Sequence, residues 1–187
     1  FRRVLFRSTQ VEVMELNIPA VHGVGNSRIY FVDRHQDFSI YDVDFIPIPA
    51  VAANQMSDSA LSVFGLVQYI GNDRTEDWTE FYNVLFGFQT LPDDLRFGIL
   101  PKGRILRSPC GQFHIQLIEP EPGVLDVQED EHFHRLGLGT QHVIQTVKAM
   151  EKNGVEFVDS AHLHTAERGA LTTTWMHSLS FELVHKD

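Results

Sequence analysis

Apolar positions along the chain fall into the three-and-four spacing of an amphipathic helix in two places about sixty residues apart, and each time the pattern runs on into a strand. In the first copy, DWTEFYNVLFGFQTL from Asp77 to Leu91, the residues Trp78, Phe81, Tyr82 and Leu85 form the apolar stripe. Thr75 is placed to cap that helix, and Glu76 and Asp77 suit its positive end. The second copy, TQHVIQTVKAMEKNGVEFV from Thr140, puts Val143, Val147 and Met150 on one face and ends at Asn153-Gly154, a C-cap signal.

Strand-like runs surround both helices. LSVFGLVQYI precedes the first; the segment around Gly87 to Thr90, then GRILRS, then QFHIQLIEP after a turn at Pro109 to Gly111, follow it. HRLGLGT precedes the second helix; GVEFV, a run near Gly169 to Thr174, and SLSFELVH follow. The pattern predicts an α+β fold of two βαβββ modules, about 61–120 and 132–187, with a cleft between them. Upstream, Val11 to Pro49 alternates short β runs with turns and predicts an all-β segment without a helix. Ala50 to Ala60 reads as a linker, and the basic stretch 1–8 reads as a foreign leader. The domain division expected is therefore 1–8, 9–60 and 61–187.

With 43% hydrophobic and 21% charged residues among 187, the chain has the composition of an ordinary globular protein. A net charge of -10 argues against nucleic acid or an anionic membrane as partner, since each requires a basic face. No apolar run approaches the roughly 20 residues that cross a bilayer, and no secretory signal opens the chain, so a cytoplasmic setting is expected. Cys110 stands alone in the turn Ser108-Pro109-Cys110-Gly111 and can form neither an internal disulfide nor a zinc ribbon. In SLSFELV, alternation sends Leu179, Phe181 and Leu183 one way and Ser180 and Glu182 the other. A carboxylate on the inner face of such a strand needs a cation or a donor.

Several segments in the same order, ELNIPAVHGVGNSRIYFVD with FSIYDVDFIPIP, then DWTEFYNVLFGF, LRSPCGQFHIQLIEP, NGVEF and SFELV, resemble the 4-hydroxyphenylpyruvate dioxygenase family of the vicinal oxygen chelate superfamily. The resemblance covers the end of that family's N-terminal half and its C-terminal half. It implies a half-barrel of paired βαβββ modules that is part of a longer protein and forms a homo-oligomer in some family members. It also implies iron(II) held by two histidines and a glutamate, with a small 2-oxo acid and O2 as substrates. The implied chemistry is decarboxylation and aromatic hydroxylation in tyrosine catabolism.

Carried over residue by residue, the resemblance implies Glu182 as the glutamate ligand. The first histidine position falls on Gln68, whose amide oxygen is a weaker donor, and the second on Arg135, which cannot bind a metal, with His134 beside it as the ligand if the strand is bulged. His142 and His164 are further candidates. Ser108 and Gln116 are the implied substrate contacts, with Ile118 standing where the family has an asparagine. Two other readings stay open: a binding domain of this superfamily that has lost its ligands, and a metal-dependent isomerase or lyase of the glyoxalase type, for which Gln68 and Glu182 are better donors.

Overall fold

The computed structural model describes residues 5–6, 18–32, 46, 61–94, 103–120, 131–159, 169–176 and 179–186. The chain divides into two compact units, Phe1–Ser59 and Ala60–Asp187. In the first, β1 (Leu5–Phe6), β2 (Ala20–His22) and β3 (Arg28–Tyr30) form an antiparallel sheet in that order, with a short 3-10 turn at Val24–Asn26 between β2 and β3. Leu5 and Phe6, expected to be leader, thus pair with Val21 and Ala20. Most of the expected all-β stretch and all of the expected linker lie outside the described residues.

The second unit carries β4 (Ser62–Tyr69), α1 (Thr75–Phe86), β5 (Gln89–Thr90), β6 (Arg104–Arg107) and β7 (His114–Ile118). A second series follows with one regular strand fewer among the described residues, β8 (His132–Thr140), α2 (Val143–Lys152), β9 (Ala170–Leu171) and β10 (Ser180–His185). The seven strands form one mixed sheet in the order β5-β6-β7-β4-β8-β10-β9. β4 and β8 pair antiparallel at the centre, and each has the last strand of its own module parallel on its outer side. The run GVEFV, expected to be a strand, contributes only an isolated bridge from Phe157 to Thr172, and the expected strand around Gly87 shortens to Gln89–Thr90.

Each helix is held by the apolar stripe that the sequence predicts. Trp78, Phe81 and Tyr82 of α1 are buried, and Val143 and Val147 of α2 pack with Ala170 and Leu183. Capping differs at α1: Thr75 is the first helical residue, and its N–H and hydroxyl both donate to Glu119 Oε1 from the end of β7. A carboxylate supplied by the neighbouring strand takes over the capping role, because it satisfies two donors at once and complements the helix dipole.

The repeat has an internal register. A seventy-residue shift carries Gly65 to Arg135 and Val67 to Gly137, and the observed pairs Gly65↔Gly137 and Val67↔Arg135 map onto each other under it. The two irregularities in the β4·β8 ladder obey the same shift: Phe64 is the extra residue on β4 and His134 the extra residue on β8. A sixty-six-residue shift carries Gln116, which pairs Val67, to Glu182, which pairs Gly137.

Leu183 is fully buried where β10 meets α2. Leu183→Ala is expected to lower stability by roughly 2–5 kcal/mol, read as a shift of the urea midpoint with little change in its slope.

Candidate functional site

Residues directly opposite one another in a ladder send their side chains to the same face. Starting from Val67, the pairings place Gly65, His114, Gln116, Ile105, Arg135, Gly137, Ser180 and Glu182 together on one face of the sheet. Gln68 belongs to the opposite face, against α1. A small cavity of about 20 Å³ opens on the first face, lined among others by Gly65, Val67, His114, Gln116, Gly137 and Glu182. Of four positions related in pairs by the internal repeat, Gly65 with Arg135 and Gln116 with Glu182, Gly65, Gln116 and Glu182 line this cavity, and Arg135 shares their face of the sheet without lining it.

At the centre sits a buried ion pair. Arg135 and Glu182 are 4% and 2% exposed, and Arg135 Nη1 lies 3.6 Å from Glu182 Oε2. That separation is coulombic contact beyond a normal hydrogen bond. Arg135 Nε and Nη1 have no hydrogen-bond partner. Burying a guanidinium is tolerable only beside a counter-charge, and Glu182 supplies it.

The expected ligand set does not assemble. Glu182 lies on the inner face as the alternation predicts. Gln68 is a correction: its Oε1 accepts a 2.8 Å hydrogen bond from the Tyr82 hydroxyl on the other side of the sheet. Burial pushes the Tyr82 phenol up to about 12 while the Gln68 bond pulls it down, so near neutral pH it stays protonated and the Gln68 oxygen stays occupied. The bulge that would present His134 is present, and the His134 ring packs edge-on to Tyr69 at 4.5 Å, with His132 stacked on the same ring. Yet among the described residues no three His, Cys, Asp or Glu side chains come together as a metal-binding group. His142 stands exposed at the N-cap of α2, its N–H donating to Thr140 Oγ1. His164 lies outside the described residues.

Of the two expected substrate contacts, Gln116 lines the cavity beside Glu182. Ser108 does not: its Oγ accepts the Phe113 N–H at 3.1 Å and touches Cys110 Sγ, which secures the β6–β7 turn. Gly65 was missed as a site position. The resemblance points to Gln68, whereas the bulge at Phe64 and the shared face point to Gly65. The equivalence of Phe64-Gly65 with His134-Arg135 lies in the ladder register and not in their residue types, so the sequence carried no signal for it.

An iron(II) centre of two histidines and one carboxylate does not fit these residues. The position facing Glu182 holds a cation that competes for its charge, and Gly65 offers no donor. A side chain cannot simply be added there, since a Cβ on Gly65 would stand 2.6 Å from the His114 carbonyl oxygen. Gly137 is equally close to the Phe64 ring, 2.8 Å from where its Cβ would be. Phe64 thus fills part of the cleft.

Removing only Arg135 takes away the guanidinium that faces the buried Glu182 at 3.6 Å. Arg135→Met is expected to cost about 3–5 kcal/mol, and Arg135→Met with Glu182→Met far less, checked by a double-mutant cycle in urea. Burial pushes the His134 imidazole down to about 4, helped by the Arg135 charge and by His132. A histidine held neutral by folding contributes stability above its ordinary value of 6.5, lost as pH falls towards 4. His134→Gln is expected to flatten the fall in Tm between those limits.

Comparison with known proteins agrees with this architecture. Residues 5–46 match the family model described as "Hydroxyphenylpyruvate dioxygenase, HPPD, N-terminal", and residues 65–181 match "Glyoxalase/Bleomycin resistance protein/Dioxygenase superfamily". The chain is 31% identical over 157 residues to a 4-hydroxyphenylpyruvate dioxygenase of Pseudomonas aeruginosa, covering 78% of this chain and 43% of that protein. It is also 30% identical over 138 residues to a 3-dehydroshikimate dehydratase of Pseudomonas aeruginosa, covering 69% of this chain and 20% of that protein. The chain thus spans less than half the length of these relatives. A solved structure of a 4-hydroxymandelate synthase variant from Streptomyces coelicolor superposes with a TM-score of 0.71 at 14% identity, covering 99% of this chain and 63% of that one, which supports the same fold. Relatives of nearly equal identity carry names for different chemistries, so kinship alone does not select the reaction. Over residues 65–181 the chain belongs to the Glyoxalase/Bleomycin resistance protein/Dioxygenase superfamily, and its relatives include named 4-hydroxyphenylpyruvate dioxygenases.

Proposed function

We propose that this chain works as the C-terminal half, with the end of the N-terminal half, of a 4-hydroxyphenylpyruvate dioxygenase-related protein, in which the cleft around Glu182 binds a small organic acid and does not itself hold iron. The observation that carries this reading is the buried Arg135–Glu182 pair. A carboxylate ligates a metal with its negative charge, and here that charge is already matched by a guanidinium that cannot leave the strand. Binding falls to the residues that line the cavity, with Gln116 and Glu182 as its polar groups and Phe64 as an apolar wall, while Arg135 holds the Glu182 charge from the same face of the sheet.

A second reading is favoured by the 31% identity to a named dioxygenase together with Glu182 on the inner face. It is an iron(II) dioxygenase that decarboxylates a 2-oxo acid with O2 and hydroxylates its aromatic ring, in the cytoplasm, as part of tyrosine catabolism. Bound iron would supply oxygen activation, and Glu182 would be one of its ligands.

The two readings part on a single experiment with the full-length protein. Purified after growth in iron-supplemented medium, it is expected to carry far less than one iron per chain and to consume no O2 with 4-hydroxyphenylpyruvate. Stoichiometric iron, with O2 uptake abolished in Glu182→Ala, would establish the dioxygenase and sink the metal-independent reading.

A further inference from the structure

We infer that Phe64 is the specificity-determining residue of this cleft: its ring fills the space that a ring-bearing ligand would need, so the acid received beside Glu182 is a short aliphatic one and not an aryl one. The inference rests on the organic-acid reading above and adds the substrate class to it.

Three observations carry it. Phe64 is the extra residue on β4 at the bulge, and it lines the cavity together with its neighbour Gly65. A regular strand sends neighbouring side chains to opposite faces; the bulge brings this ring to the inner face as well. The ring is buried, and it reaches across the seam between the modules to Gly137 on β8, where its Cε1 and Cζ atoms stand 2.8 Å from the place a Gly137 Cβ would take. Ring and glycine are therefore complementary, because any side chain at position 137 would claim the space the ring occupies. What the ring leaves is a cavity of about 20 Å³.

A space of that size holds roughly one or two water molecules. Its walls include Val67, Ile105 and the Phe64 ring, with Gln116 and Glu182 as polar groups. A methyl group is close to a water molecule in size and gains from apolar walls, so the end of a short aliphatic chain fits there. A six-membered ring does not. The His114 side chain hydrogen-bonds the Phe64 backbone, which ties the bulge residue to β7 and holds the ring's attachment in place.

Removing the ring has a defined consequence. A phenylalanine side chain is toluene less one hydrogen, so Phe64→Ala vacates a space of that shape, joined to the cavity already present. Apolar cavities of this kind stay dry and take up small aromatic molecules.

The experiment is titration of the full-length protein and its Phe64→Ala variant with propionate, phenylacetate and toluene, followed by calorimetry, with amide chemical shifts locating each ligand. Wild type is expected to show no saturation with phenylacetate or toluene. Phe64→Ala is expected to bind both, phenylacetate about tenfold more tightly than wild type or better, with the largest shifts at Gly65, Gln116 and Gly137. Gly137→Ala is expected to lower the Tm of wild type and to cost much less in the Phe64→Ala background, a coupling read from the double-mutant cycle. Phe64→Leu, which keeps an apolar side chain, carries the same titrations if Phe64→Ala loses its fold. Saturable phenylacetate or toluene binding at those amides in wild type overturns the inference, as does a folded variant that takes up neither, or a Gly137→Ala cost that is equal in both backgrounds. Toluene entering Phe64→Ala while propionate binds neither protein marks the failure of the organic-acid reading alone; propionate bound by wild type with no toluene in Phe64→Ala marks the failure of this inference alone.

Discussion

The antiparallel pairing of β4 with β8 is the contact on which the rest of the second unit depends. It is the only direct ladder between the two modules among the described residues, and every other strand of the sheet is attached through one of its two members. Because it is nearly two-fold symmetric, whatever one module contributes to the inner face is matched by an equivalent position of the other. The bulges at Phe64 and His134 are part of that symmetry. Each admits an extra residue and resets the alternation, so that Gly65 and Arg135 fall on the same face of the sheet as Gln116 and Glu182.

Placing a guanidinium at such a position has consequences for the whole centre. Arg135 cannot shed its charge and cannot be solvated there, so it needs Glu182, and Glu182 in turn needs Arg135. The pair bridges β8 and β10 across the inner face, while Leu183, one residue on, anchors β10 to α2 from the other side. Stability and the chemistry of the cleft are thus tied to the same strand. Phe64 over Gly137 and the backbone approach at Gly65 narrow the cleft further, leaving a cavity of about 20 Å³ beside Glu182.

Behind the sheet the same alternation works differently. Gln68 is a polar residue on the face that packs against α1, and it is satisfied there by Tyr82, a phenol kept protonated by its burial. Its apparent place among site residues comes from carrying the resemblance over without the bulge. Thr75 shows a related substitution of partners: it marks the start of α1, but the charge at the helix end is supplied by Glu119 from β7.

The order of helices and strands, the buried stripe of α1, the apolar face of α2 and the inward Glu182 were all legible in the sequence, because each depends on local periodicity, and periods of 3.6 and 2 survive in a single chain. The family resemblance was legible for the same reason, as an ordered set of such segments. Which residues meet was decided by the tertiary structure. A bulge changes which face a residue occupies without leaving a composition signal, so Gln68 was drawn into the site and Gly65 left out of it. The cation that Glu182 needs was also not local: it is Arg135, 47 positions earlier in the numbering, brought within 3.6 Å by the parallel pairing of β8 and β10. Periodicity assigns a side chain to a face; only the pairing of distant strands says what stands opposite it.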